Sequence, residues 1–452
     1  MPIGSGDRSV QAANSLAEHT KQLCSGVFVV GRNPYEFVQH DLRTIDHYHD
    51  WDATSVDVDF DDRTVTLADD RGNERTAVYH PSQGCTLLPE DGSGISFEPT
   101  AVSPDLEEPH EQEWPMGDVG AVAHDPDSVD TDRLSTVLDR ATSDPPSHAM
   151  PPGTRALVVL KDGKVVGERY ASGFNERTRH VSWSMGKSVT AALIGVLVEE
   201  GRFDVDDPAP IEEWDGDERR EIRISDLLRM SSGLEFRRSR DEAEVPHFMP
   251  EDHHHRPYFD SIDVFDFASS RPLEHEPNTV WRYRNCDPLS LGRIIRETVE
   301  STGRSYLEFP QRALYDRIGV RDMVHEPDRN GNFVMSGFNY GTARDWARFG
   351  LLHLWEGEWL GERILPEDWI DFVTTPAPAD PEGGYGGQFW LNRDHELPEV
   401  PEDAYSARGY RGQLTMIVPS MDTVIVRLGH TPTVHFEEFN TLIREILDCV
   451  DA

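Results

Sequence analysis

Ser184 and Lys187 stand as Ser-x-x-Lys in the run Val181-Ser182-Trp183-Ser184-Met185-Gly186-Lys187-Ser188. The residues that follow are strongly apolar as far as Val198, and Gly201 stands where a helix would end. The pattern predicts a buried helix over about 184–200 with the pair at its start. Residues three apart on a helix share a face. A serine hydroxyl becomes a competent nucleophile when an adjacent base takes its proton. A lysine amine serves as that base only when neutral, a state that burial favours. The helix N-terminus adds partial positive charge where an oxyanion would form. The chemistry expected of the pair is acyl transfer, with Ser184 as nucleophile and Lys187 as general base.

Composition sharpens this reading. Lysine occurs only at Lys21, Lys161, Lys164 and Lys187, within a total of 43 Lys+Arg. A chain that uses arginine for nearly every cation, yet keeps a lysine on a buried helix, points to a role that requires deprotonation, which arginine essentially never undergoes. The plainer alternative is a helix lysine that snorkels to solvent.

Two further segments carry side chains suited to the same chemistry. Trp281-Arg282-Tyr283-Arg284-Asn285 contains a Tyr-x-Asn, in which Tyr283 can relay protons and the Asn285 amide can hold a substrate carbonyl. Ala407-Arg408-Gly409-Tyr410-Arg411-Gly412-Gln413-Leu414 is glycine-rich and runs into a strand. There a substrate can lie along a strand edge, with the backbone N–H groups of Gln413 and Ser184 as an expected oxyanion hole.

Together and in this order, the three segments resemble the serine β-lactamase and penicillin-binding-protein superfamily. The likeness is closest to its class C β-lactamase-like branch, which holds esterases and 6-aminohexanoate-dimer hydrolases. It extends over about residues 153–450 and includes Ile224-Ser225-Asp226-Leu227-Leu228-Arg229-Met230-Ser231-Ser232-Gly233-Leu234 and Thr342-Ala343-Arg344-Asp345-Trp346-Ala347-Arg348-Phe349-Gly350. The resemblance implies that Ser184 is acylated, Lys187 is its base, Tyr283 is the second proton-transfer group and Asn285 contacts substrate. Tyr410, Arg411 and Gly412 stand where β-lactamases and transpeptidases carry Lys-Thr-Gly, a departure that turns the expectation from penicillins toward esters and small linear amides. The rival from another class is a member of the same superfamily that binds its ligand without turnover.

The elements that must position these residues are legible in outline. A hairpin through Asp162-Gly163 joins apolar strands near Ala156–Leu160 and Val165–Tyr170, and a second joins Leu414–Val418 to Thr423–Leu428. Phe436–Val450 reads as a closing helix and Thr131–Leu138 as a short amphipathic one. The expected fold is α+β: an antiparallel sheet flanked by helices, with a helical subdomain inserted, over residues 126–452. Residues 1–125 are expected to form a small mixed α/β prefix domain without chemistry of its own. In it a helix from about Ala13 to Asp46 is broken at Leu23–Val30, and a β meander runs from Ser55 to Tyr79. Trp114-Pro115 anchors its long acidic linker.

With Asp+Glu 83 against Lys+Arg 43, the formal net charge is -40. Such a surface argues against nucleic acid or an anionic membrane as partner, and its lysine scarcity suggests adaptation to a high-salt cytoplasm. No secretory signal or membrane span is apparent, so a cytoplasmic location is expected. The expected partner is a small-molecule ester or amide substrate. Cys24, Cys85, Cys286 and Cys449 make no zinc motif. Cys24 and Cys85 are close enough in sequence to pair, but two reduced cysteines are the default for a cytosolic protein. His253-His254-His255, with His247 and Glu251-Asp252 nearby, invite a metal reading; adjacent histidines converge poorly on one ion, so a solvated loop over the cleft is expected, with no metal and no cofactor. The absence of Gly-x-Ser-x-Gly argues against an α/β-hydrolase.

Overall fold

The computed structural model describes residues 5–43, 53–122, 129–143, 150–239 and 245–451, the side chains of residues 5–8 excepted. The chain opens with helix α1 (Ser5–Phe28) and the short α2 (Pro34–Phe37). Strands β1 (Ala53–Asp59), β2 (Thr64–Asp69), β3 (Glu74–His80) and β4 (Gly84–Leu87) follow, and they pair in that order as an antiparallel meander. The expected break at Leu23–Val30 does not occur within α1. Leu23, Cys24 and Val27 are the helix's own core face, packed with Val65, Leu67 and Ala77 of the meander. Residues 44–46 of the expected helix lie outside the described residues. Cys24 and Cys85 are joined by a disulfide, which replaces the expected reduced pair.

After α3 (Thr131–Ala141) come the hairpin strands β5 (Thr154–Lys161) and β6 (Lys164–Tyr170), the short β7 (His180–Val181) and the apolar α4 (Met185–Glu199). A block rich in helix and loop holds α5 (Ile224–Leu228), α6 (Arg256–Phe259), α7 (Val264–Ser269) and α8 (Cys286–Ser301). Next are β8 (Val324–His325), β9 (Asn339–Gly341), α9 (Ala343–Leu354), the hairpin β10 (Glu358–Trp359) and β11 (Glu362–Arg363), and α10 (Trp369–Thr374). The chain closes through β12 (Trp390–Leu391), β13 (Tyr405–Gly409), β14 (Gln413–Val418), β15 (Thr423–Gly429) and α11 (Phe436–Val450).

Six strands form the main sheet, in the order β12-β13-β14-β15-β5-β6, every neighbour antiparallel. The first and last hairpins therefore meet through β15 and β5, with Val424 opposite Leu160 and Val426 opposite Val158. Side chains alternate between faces along a strand, and here both faces are covered. Val158, Leu160, Val424 and Val426 join a core with α4 and α9. Leu157, Val159, Ile425 and Met416 join a second core with α3 and α11. Burial on both faces explains why these strands read as continuous apolar runs.

The N-terminal meander and α1 are fastened to the rest by a buried ion pair. Lys21 Nζ donates to Glu326 Oε2 at 3.0 Å and to the Cys85 carbonyl at 2.5 Å. Glu326 also accepts from Ser25 Oγ at 2.8 Å and from the Cys85 N–H at 2.7 Å. Removing one partner of such a pair strands the other charge in a dry site. Lys21→Met is expected to destabilise the protein by about 3–5 kcal/mol, measured by chemical denaturation.

Candidate active site

Ser184 caps α4 and faces a cavity of about 490 Å³. Lys187, one turn into the helix, is 1% exposed. Its amine is 2.8 Å from Ser184 Oγ and donates to the Ser336 carbonyl at 3.1 Å. Burial drives the Lys187 pKa well below its ordinary value, and the Arg238 guanidinium pushes the same way. With one N–H spent on Ser336, a neutral amine can turn its lone pair toward the Ser184 hydroxyl. Gly186 makes this approach possible: a Cβ there would lie 2.3 Å from the Met335 carbonyl and 1.9 Å from Asn339 Nδ2. Only glycine lets the first turn of α4 press against the segment that carries Ser336.

Tyr283 lies within hydrogen-bonding reach of Ser184, and its ring is 4.9 Å from Lys187 Nζ. Burial pushes its phenol up to about 12, opposed by the Ser184 hydrogen bond and Arg238. Tyr385 and Trp390 hold the Tyr283 ring, at centroid separations of 5.8 and 5.2 Å. The three side chains expected to carry chemistry are thus brought together, from α4 and the segment before α8.

Asn285 sits elsewhere than expected. It is fully buried and not part of the cavity lining; its amide donates to the His254 carbonyl at 2.6 Å and to Tyr258 Oη at 2.8 Å. Tyr258 in turn donates to the Ser336 carbonyl at 2.9 Å, the same acceptor that Lys187 uses. Asn285 therefore acts on the site through Tyr258, a residue that sequence reasoning missed because nothing in its surroundings resembles a motif. Ser336 is equally invisible in sequence, since it acts through its backbone.

Tyr410, Arg411, Gly412 and Gln413 all line the cavity. Arg411 is buried, its guanidinium against His430 and 5.0 Å from the Tyr410 ring centroid. Gln413 begins β14, opposite Gly409 of β13, and its side chain bonds the Gly429 backbone at both ends, at 2.5 and 3.0 Å. β12 pairs with Tyr405 and Ser406 alone among the β13 residues described, so the outer edge of β13 beyond them meets the Ser182–Ser184 segment instead of a strand. The contact is close, since a Cβ on Gly409 would lie 2.0 Å from the Ser182 carbonyl. Gly409 and Tyr410 thus adjoin the Ser182–Trp183 segment from β13, while Gln413 lies on the neighbouring strand β14. Between Ser182 and Ser184, Trp183 takes φ 49°, a conformation that costs free energy in a bulky residue. Its ring packs on Tyr258, Phe338 and Tyr410.

The histidine segment is no solvated loop. Asp252 is fully buried, and its Oδ2 accepts from His247 Nδ1 at 3.0 Å and from His255 Nδ1 at 2.8 Å. Those bonds, opposing burial, hold the Asp252 carboxyl far below its ordinary range. The three polar groups stand close enough to hold an ion, yet the hydrogen bonds already satisfy the carboxylate. The prefix reaches the cavity: Glu18 of α1 lines it, and burial raises its carboxyl to about 7.

Among the described residues, no helix is long and apolar enough to cross a membrane. A family model described as Beta-lactamase matches residues 152–448, and the chain belongs to that family. It is similar to the 6-aminohexanoate-dimer hydrolase of Paenarthrobacter ureafaciens, 27% identical over 62% of this chain and 73% of that protein. Its fold is similar to that of a presumed 6-aminohexanoate-dimer hydrolase from Bacillus anthracis, with TM-score 0.58 and 24% identity over 77% of this chain and 90% of the other. A family VIII carboxylesterase is also similar, with TM-score 0.54 and 14% identity over 71% of this chain and 97% of the other.

The shared carbonyl of Ser336 makes Tyr258 a structural hinge of the site. Tyr258→Phe leaves the buried Asn285 amide short of a partner and is expected to cost about 1–3 kcal/mol, read by chemical denaturation against wild type.

Proposed function

We propose that the protein is a serine hydrolase that cleaves an ester or small linear amide through an acyl-Ser184 intermediate. The observation that carries this reading is the desolvated Lys187 amine, 2.8 Å from Ser184 Oγ. Lys187 takes the hydroxyl proton as Ser184 attacks the substrate carbonyl. The oxyanion faces the N–H of Ser184 at the start of α4 and the backbone at the Gly409–Tyr410 edge, in place of Gln413. Tyr283, whose high pKa keeps its proton on, hands that proton to the leaving alcohol or amine and is reprotonated from Lys187. Water then attacks the acyl-serine by the same route in reverse.

The named relatives, a hydrolase of an amide dimer and a carboxylesterase, support this substrate range. The state of Arg411 supports it too: a buried guanidinium against His430 is poorly placed to meet a penicillin carboxylate as a mobile lysine would. The proposed unit of activity is residues 126–452 with α1 docked on it.

Intact-protein mass after brief exposure to a fluorophosphonate, in high salt, tests the reading. A single adduct absent from Ser184→Ala supports it, whereas no adduct in folded wild type contradicts it. Lys187→Arg, which cannot deprotonate, is expected to slow labelling by about 10²–10⁴-fold, as is typical for loss of a general base. A neutral Lys187 is the reactive form, so labelling is expected to persist at neutral pH and to fall as acid protonates the amine. A labelling profile that rises only near the ordinary lysine pKa of 10.5 would contradict this assignment.

A further inference from the structure

A second cavity, of about 40 Å³, shares Trp183 with the Ser184 cavity. It forms where the N-terminal segment meets the main sheet. Arg32 comes from the loop between α1 and α2, Asp41 from the turn after α2, Arg155 from β5 and His180 from β7, the strand that runs into Ser182 and Ser184. The Phe174 ring gathers the basic groups: the Arg32 and Arg155 guanidiniums lie 4.9 and 5.0 Å from its centroid, and the His180 ring stacks on it at 5.5 Å.

Among the described residues, Arg32 Nη1 and His180 Nε2 are buried in this wall without a hydrogen bond, and His180 is only 5% exposed. Buried polar atoms of this kind call for a water or an ion. Charge decides between them. Arg155 donates to Asp41 Oδ1 at 2.5 Å and Arg32 Nη1 stands 3.7 Å from Asp41 Oδ2, so one buried carboxylate serves two guanidiniums, with the exposed Glu36 as a further, weaker counter-charge to Arg32. Arg427, which acts on the same His180, is fully buried and donates to carbonyl and hydroxyl oxygens, with no carboxylate against it among the described residues. Arg179 is taken by Asp322, and Arg411, against His430, has Glu18 near it. The positive excess is felt at the wall: burial, with Arg155, Arg32 and Arg427, pushes His180 down to about 3, so the ring is neutral and has a single N–H to offer. Buried guanidiniums in excess over carboxylates are costly. An anion offsets that cost and a water does not.

We propose that this cavity binds a small monovalent anion of halide size, chloride above all, with Arg32 Nη1 and the His180 Nε2–H as donors and Arg155 and Arg427 supplying the field. Size selects the ion. One water requires about 10–15 Å³ of such space, so the cavity takes a halide with a water beside it, and is too small for sulfate or phosphate. That water donates to Asp41 Oδ2, which also lacks a hydrogen bond, and so separates the carboxylate from the ion. The ion ties the N-terminal segment, through Arg32, to β7 and the Trp183 turn that lead into Ser184. The site stands independently of the hydrolase reading.

Two measurements on the full chain test it together. Crystals grown with sodium bromide are expected to show bromine-edge anomalous density in this cavity, against Arg32 and His180. In solution, with sodium sulfate as the background salt, chloride is titrated and its ³⁵Cl line width followed; the protein-dependent broadening is expected to saturate, and to be competed away by bromide. Arg32→Met is expected to weaken chloride at least about tenfold, the worth of a hydrogen bond to a charged group, and Arg32→Lys, which keeps the charge, to weaken it less. If near-UV circular dichroism shows that Arg32→Met has lost its fold, His180→Phe, which keeps the stack on Phe174 and removes the N–H, takes its place with the same expectation. Water density alone in the cavity would overturn the proposal. So would a bromide peak whose solution counterpart is unmoved in the folded variant, since that describes an adventitious ion only.

Discussion

The site depends on one imposed cost, the removal of the Lys187 amine from water. In solvent a lysine is an ammonium at neutral pH and useless as a base. Lodged in a helix that is buried nearly all round, and with Arg238 nearby as a like charge, the amine is driven toward the neutral form. A buried cation is ordinarily rescued by a carboxylate, as Lys21 is by Glu326. Lys187 instead receives a carbonyl and a hydroxyl, dipoles that orient an amine without restoring the charge. Burial lowers the pKa of both lysines, but a carboxylate opposes it only at Lys21.

Much of the surrounding architecture serves that arrangement. Gly186 lets α4 touch the Met335–Asn339 segment, Gly409 lets β13 touch Ser182, and the left-handed Trp183 turns the chain between them. Two glycines and one strained residue thus bring the Ser184 and Lys187 segment against the Ser336 segment and the β13 edge. The Tyr258 and Asn285 pair then fixes the Ser336 carbonyl from behind. Strain of this kind is sustained because sheet, helix and the Trp183 ring contacts leave the segment no alternative.

What could be read in the sequence follows from how local each signal is. Hairpins, the closing helix and the Ser184 helix are written in periodicity and turn residues, and Asp162-Gly163 forms its turn as its type requires. Ser184, Lys187 and Tyr283 were legible because it is their side chains, at short fixed spacings, that meet in the cavity. Contributions made through space were not. Ser336 offers only a backbone oxygen, Tyr258 has no motif, and Glu18 reaches the cavity from a helix outside the resemblance. Asn285 was read from its motif alone, and the Tyr258 hydroxyl drew it elsewhere. The N-terminal helix was misjudged at Leu23–Phe28 because an apolar run looks the same whether it interrupts a helix or forms its buried face.

The central claim, a lysine neutral through burial, can be observed directly because the chain has so few lysines: Lys21, Lys161, Lys164 and Lys187. Selective ¹³Cε-lysine labelling followed through a pH titration by NMR gives each side chain its own signal, with Lys187→Arg identifying the resonance in question. The account predicts that Lys187 titrates well below its ordinary value of 10.5 and that its signal at neutral pH is that of an amine. A Lys187 resonance that titrates beside those of the surface lysines would show the amine to be charged at neutral pH and would contradict the account at its base.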